Sequence, residues 1–174
     1  MLQALKRYAP AAISGFAAVV FLDSLRYKFS NAPETQVIFG KLDAWAASWG
    51  ADGLFAQTGL FSQYVIGSAE LVASGLLLLG LIPGLKRLNA LGAFLAFAVM
   101  SGAVSFHLFT PLGIDPNADG GGLFAAAMTI WFTALALIAI RRHELVGLAR
   151  DIGGVFVRRE PQGVAYSSAH AFTR

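Results

Sequence analysis

Residues 59–82 read GLFSQYVIGSAELVASGLLLLGLI, an apolar run of 24 residues that contains a single ionisable side chain, Glu70. A helix of about 20 apolar residues is long enough to cross the roughly 30 Å of hydrocarbon in a bilayer. The run is followed by the turn residues Pro83 and Gly84 and then by a second apolar run over residues 90–109. Two long apolar segments joined by so short a turn predict a helical hairpin that crosses the membrane twice.

Two more apolar runs, residues 9–29 and 122–140, flank this hairpin. The chain has 174 residues, of which 56% are hydrophobic and 13% charged, and its mean hydropathy is +0.63, outside the usual range of soluble domains. We therefore expect an all-α integral membrane protein whose residues 1–142 form a four-helix transmembrane bundle. A signal peptide is the competing interpretation of the first run, but Asp23, Arg26 and Lys28 replace a small-residue cleavage site.

The lysines and arginines are distributed unevenly between the two sides that four spans would define. Ten of the thirteen fall on the side that carries both termini and the second loop, and three fall on the other side. Cytoplasmic loops of membrane proteins carry an excess of these cations. The sequence therefore predicts a multi-pass protein of the bacterial inner membrane with both termini in the cytoplasm. Residues 143–174 would form a basic amphipathic segment on the cytoplasmic leaflet and a flexible tail.

The first external loop, residues 30–58, is long enough to hold a helix of its own. Within it Ile38, Leu42, Trp45 and Trp49 share one helical stripe, and Pro33 suits the first turn of a helix. Two interpretations stay open. The segment is either an interfacial helix with its tryptophans at headgroup depth, or a lid folded over the bundle.

Several classes of function are excluded or disfavoured by composition. Without cysteine the chain forms no disulfide, thiolate metal site or dithiol relay, and no metal site is predicted. Nucleic acid is excluded as a partner because the basic residues follow membrane topology. The glycines after Asp119 lack the preceding strand and following lysine of a phosphate-binding loop, so they predict a turn. Haem is disfavoured because His143 and His170 fall on the opposite side from His107.

Ionisable side chains inside a bilayer are costly unless paired, so each one is a candidate functional residue. Glu70 lies near the middle of the second run, Asp23 and Arg26 near the outer end of the first, and His107 near the outer end of the third. These four residues are expected to converge on one polar site. Arg26 would hold an anion or a carbonyl oxygen while Glu70 and His107 exchange protons; alternatively, the four form a charge-compensated network that fixes helix register. Lys28 is expected to extend to the interface without a special role.

The run GSAELVASGLLLLG over residues 67–80 resembles the DoxX-like family of small four-span bacterial membrane proteins. That family carries a lysine at the end of the first span, a Glu-Leu pair in the second and a histidine late in the third. Lys28, Glu70 and His107 stand at matching positions, whereas Leu25 stands where members often carry glycine. The resemblance implies an accessory role in membrane redox complexes, including those coupled to quinone.

The sequence thus predicts an accessory subunit of a membrane redox complex that is not catalytic by itself. Quinone is the expected cofactor, held by Arg26, Glu70 and His107, and the expected partners are membrane lipids and other membrane protein subunits. The alternative is a non-catalytic structural subunit that stabilises a larger respiratory or photosynthetic assembly. A transporter is disfavoured because the chain shows no inverted repeat or broken helix.

Overall fold

The computed structural model describes residues 2–157, and in that part of the chain it contains six α-helices and no strand. Side-chain environments are described for residues 8–154. The predicted flexible tail lies outside the described residues. The helices are α1 (Leu2–Phe29), α2 (Pro33–Ala47), α3 (Gln63–Leu79), α4 (Lys86–Phe109), α5 (Gly122–Ile140) and α6 (Arg142–Val157).

Among the described residues, three helices are long and apolar enough to cross a membrane: α4, α5 and the part of α1 from Tyr8 to Phe29. Their outward faces are apolar, and Val19, Phe94 and Phe132 are 68%, 56% and 56% exposed. Helices that remain apolar on their exposed faces are suited to lipid rather than to water. The all-α class expected from the sequence is thereby confirmed; three of the four predicted spans correspond to helices long enough to cross a membrane, and α5 has the predicted bounds.

The helix α3 is shorter than predicted, with 17 residues in place of the 24 in the apolar run. At 1.5 Å per residue it is about 26 Å long, slightly less than the hydrocarbon thickness. It begins late because the Ser62 hydroxyl accepts a hydrogen bond from the Val65 N–H and caps the first turn. Upstream the chain turns so tightly that a Cβ on Gly59 would lie 2.2 Å from the Gly53 carbonyl oxygen.

Four helices pack around one core: α3 and α5 each contact both α1 and α4. Phe21, Leu77, Ile130 and Leu137 are its largest apolar side chains, and each is essentially inaccessible to solvent. We call the end of this bundle at the C-termini of α1 and α4 the outer end, and the opposite end the inner end. All four helices contribute to the core, so the site described below is built on a packed scaffold.

The helices α3 and α4 form the hairpin that the short second loop predicts, and glycine allows their close approach. A Cβ on Gly80 would lie 2.0 Å from the backbone nitrogen of Asn89, and a Cβ on Gly92 would lie 2.7 Å from that of Leu77. Asn89 is fully buried and donates to the Leu77 carbonyl at 2.9 Å and to the Ser14 hydroxyl at 2.9 Å, while its own carbonyl accepts from Arg141. One amide therefore joins all four helices at the inner end.

The helix α2 packs on the outer end of the bundle. Leu42 and Ala46 form a buried cluster with Phe55 of the first loop and Leu112 of the third. Trp49 is 56% exposed. Leu42 of the predicted stripe therefore faces protein, because it packs against the apolar side chains of Phe55 and Leu112 in the loops.

The helix α6 follows α5 directly and contacts α4 at the inner end. Arg87 at the start of α4 donates to Asp151 at 2.7 Å, although both side chains are exposed. Such exposed ion pairs contribute little to stability. Val146 and Ile152 are exposed on α6, so apolar and cationic side chains share its surface.

Candidate ligand site at the outer end of the bundle

A cavity of about 900 Å³ lies at the outer end, between α1, α2, α4 and the start of α5. Small-molecule sites usually occupy about 300–1,000 Å³ and are mostly apolar with a few polar groups. The cavity has this character, and α2 forms one of its walls. Its apolar lining includes Val20, Ile38, Phe39, Ile66, Val99 and Phe106.

Lys28, in the wall of the cavity, forms an ion pair that joins α1 to α3. The Lys28 ammonium lies 3.0 Å from the Glu70 carboxylate, and the two side chains are only 14% and 4% exposed. Ser24 lies one helical turn before Lys28, accepts a hydrogen bond from the ammonium and donates to Glu70 at 3.1 Å. These three residues, which we call the Lys28 triad, satisfy one another inside an apolar surrounding.

The Lys28 stem packs against a small residue on the facing helix. A Cβ on Gly67 would lie 3.4 Å from the Lys28 side-chain carbon Cδ and from the Phe29 ring, an ordinary van der Waals distance. The stem passes Gly67 and reaches Glu70, which lies about one turn further along α3. The expected snorkelling of Lys28 is therefore wrong: its nearest anion lies inward, so the ammonium turns into the protein.

A second, smaller cavity of about 60 Å³ lies beside the Lys28 triad. It is lined by Lys28, Glu70 and Ser24 on one side and by Met100 and Ile130 on the other. This space accommodates a water molecule or the oxygen-bearing end of a ligand but not a ring. Because Lys28 and Ser24 also line the large cavity, the triad stands between the two spaces.

Two of the predicted site residues, Asp23 and Arg26, pair with each other rather than with Glu70. Their side chains are 56% and 69% exposed, and Arg26 also lies over the ring of Tyr27. Asp23 lines the large cavity, whereas Arg26 is not among its lining residues in the described part of the chain. An anion-holding role for Arg26 inside the cavity receives no support from this placement.

The remaining predicted residue, His107, is 95% buried, since only 5% of its surface is exposed. Its ring nitrogen Nδ1 donates to the Gly113 carbonyl at 2.6 Å, and the ring packs against Phe124. Within the described residues it lines neither cavity. His107 therefore ties the third loop to α4, and the four predicted residues separate into three local groups.

Amide side chains outside the four predicted site residues connect the helix ends around the site. Gln63 donates to the Lys28 carbonyl at 2.8 Å and to Asn31 at 2.9 Å, and Gln36 of α2 donates to Gln63 at 2.6 Å. Asn31 adopts a left-handed conformation with φ of 57° in the α1–α2 turn, a conformation that asparagine tolerates. In the sequence, the sign of this cluster is that its polar residues stand at the ends of apolar runs.

The third loop supplies an acidic residue that lines the cavity and caps α5. Asp119 accepts from the backbone N–H groups of Leu123 at 2.9 Å and Gly121 at 3.0 Å. The hydrogen bond from Leu123 and its companions lower the pKa of Asp119 below its ordinary value of 3.8, because they favour the ionised carboxylate. The adjacent Gly120 and Gly121 have positive φ, in agreement with the turn predicted for this run.

Comparisons of this chain with protein-family models, curated proteins and solved structures found no match.

Proposed function

We propose that this chain is a four-span protein of the bacterial inner membrane that holds a quinone-type molecule in the outer cavity. It acts as an accessory subunit of a membrane redox complex, in keeping with its resemblance to the DoxX-like family, and is not catalytic by itself. The observation that carries the proposal is the apolar cavity of about 900 Å³ with the buried Lys28 triad in its wall.

The span count rests on length and on charge. We count α3 as the fourth span, in addition to the three long helices. Its 17 residues are almost long enough to cross the bilayer, and its capping residues extend the buried segment at both ends. The distribution of cations supports cytoplasmic termini, because an even number of spans returns the chain to the side where it began. In this arrangement α2 lies at the periplasmic surface, and the cavity beneath it lies in the outer leaflet.

The cavity suits a quinone by size and by polarity. An isoprenoid quinone combines an apolar ring and tail with two carbonyl oxygens, so it needs apolar walls and a small number of hydrogen-bond donors. Lys28 provides an N–H donor in a lining that is mainly apolar, whereas the single O–H of Ser24 is already donated to Glu70. Because the cavity would lie in the outer leaflet, the isoprenoid tail of the quinone could remain in lipid.

The first test is purification of the tagged protein from its native membrane in mild detergent. Mass spectrometry would identify co-purifying proteins, and solvent extraction would release bound quinone. We expect a redox enzyme and roughly equimolar quinone; a preparation that contains neither would contradict the proposal. The double variant Lys28→Met/Glu70→Met should keep the partner and lose quinone, whereas Lys41→Met, outside the cavity lining, should retain both.

A structural subunit is the second candidate, and the surface of α6 favours it. Exposed Val146 and Ile152 lie on the same helix as the exposed cations Arg142 and Arg150, a combination that suits docking at a membrane surface or on another subunit. Deleting the residues after Arg150 should release the protein from a large assembly. Unchanged co-purification of the truncated chain would argue against this candidate.

A further inference from the structure

We infer that the outer cavity selects a neutral apolar molecule with a carbonyl oxygen, which accepts a hydrogen bond from the Lys28 ammonium, and that it rejects carboxylate amphiphiles. This inference rests on the proposed binding function of the cavity and specifies the chemistry of its ligand. It assigns Lys28 as the contact for the ligand oxygen and Glu70 as the group that determines which ligand charge is accepted.

The first step concerns the donors of Lys28. An ammonium has three N–H groups. Three acceptors lie within its reach: the Ser24 hydroxyl and, each at 3.0 Å, the two Glu70 carboxylate oxygens. In the proposal, one N–H serves both carboxylate oxygens when the ligand is bound, and the third N–H donates to the ligand oxygen. Lys28 lines both cavities, so a ligand in either space can approach it.

The second step concerns charge. Lys28 and Glu70 neutralise each other at the polar wall, so an anionic ligand would bring a second negative charge next to Glu70. The remaining ionised residues of the cavity lining, within the described part of the chain, are Asp23, Glu34 and Asp119. All three are acidic, and only Asp23 is paired with a cation. A ligand oxygen that is polar but uncharged avoids this repulsion.

The third step concerns shape. The space beyond the triad is about 60 Å³ and is bounded by Met100 and Ile130. It accepts the oxygen end of a molecule, while the bulk of the ligand must stay in the cavity of about 900 Å³. The ligand therefore enters with its carbonyl foremost and leaves its apolar body against α2 and α4.

The test uses three chain-length-matched probes, 2-tridecanone, tridecanoate and tridecane, added to the purified full-length protein in detergent at pH 8. Binding of each is measured by native mass spectrometry. We expect the wild type to bind the ketone at least tenfold more tightly than the carboxylate or the alkane. Equal affinity for ketone and carboxylate, or no binding of any probe, would overturn the inference.

Two variants make the test specific for the triad. Glu70→Gln keeps the Lys28 cation and removes its counter-charge, so its affinity for tridecanoate should rise at least tenfold. Lys28→Met/Glu70→Met removes both charges and should bind ketone and alkane equally, while Lys41→Met should behave as the wild type. If Glu70→Gln gains no affinity for the carboxylate, the assigned role of Glu70 is wrong.

The two proposals fail in different ways. Ketone selectivity in a protein that purifies without a redox partner would leave the ligand chemistry standing and remove the accessory redox role. Native quinone and a redox partner, together with unchanged carboxylate affinity in Glu70→Gln, would leave the function standing and remove the selectivity mechanism.

Discussion

The two ends of the bundle solve the problem of burying polar groups in opposite ways. At the inner end a neutral amide, Asn89, bonds to three partners in a space so tight that glycine is required at position 80. At the outer end Lys28 is paired with Glu70 and lines a cavity of about 900 Å³. The inner end is tightly packed around its amide, whereas the outer end leaves space for a ligand beside Lys28.

The largest expected effect is removal of one charge from the outer end. Glu70→Ala leaves the Lys28 ammonium buried without a counter-ion, which typically costs about 3–5 kcal/mol in the free energy of unfolding. Lys28→Met/Glu70→Met should recover most of this loss because no unpaired charge remains. Unfolding of the purified variants in mixed detergent micelles would measure both, and equal stability of the single and double variants would contradict the account.

A matched pair of glycines tests the contrast in packing. Gly80→Ala forces a Cβ against the α4 backbone at 2.0 Å, so we expect a loss of about 1–3 kcal/mol or more. Gly102→Ala faces the outer cavity, where the nearest atom is 3.9 Å away, and should be neutral or stabilise its helix by up to about 1 kcal/mol. The same unfolding assay compares them, and similar losses at the two positions would remove the distinction between a tight and an open end.

The amide at the inner end provides the next test. Asn89→Leu leaves the Ser14 hydroxyl, the Leu77 carbonyl and Arg141 without this partner, and unpaired buried groups cost about 1–3 kcal/mol. Ser101→Ala removes two neutral hydrogen bonds, one accepted from Trp131 at 2.9 Å and one donated to the Phe97 carbonyl at 2.7 Å, and should cost about 1 kcal/mol because the hydroxyl is only partly buried. A smaller loss for Asn89→Leu than for Ser101→Ala would show that the inner network does not hold the four helices together.

The smallest effect is expected at Asp119, which caps α5 beside the cavity. Its lowered pKa means that ionisation stabilises the folded state above pH 4 and that this contribution disappears as the pH falls through the lowered pKa. Asp119→Ala should therefore be slightly less stable than the wild type at pH 7 and should approach it at pH 3. A constant difference between pH 7 and pH 3, measured by thermal unfolding, would contradict the capping role.

Much of the fold follows from local sequence properties, whereas the partners in the candidate site do not. The apolar runs predicted the type and approximate bounds of α1, α4 and α5, and the short second loop predicted the hairpin of α3 and α4. Glu70 was correctly singled out as a buried carboxylate, but its partner was not, since a lysine near the end of a span is compatible with either an interfacial or a buried position. The structure decides between them by placing the Glu70 carboxylate 3.0 Å from the Lys28 ammonium, with both side chains buried.

What the sequence by itself determined is the helical, lipid-compatible character of the chain, because hydropathy and helix length depend on residues that are neighbours along the chain. Tertiary structure alone decided that Lys28 and Ser24 meet Glu70, that Asp23 keeps Arg26 near the surface, and that α2 forms a wall of the cavity. Those contacts depend on the rotation of each helix about its axis. That rotation is set by packing against other helices.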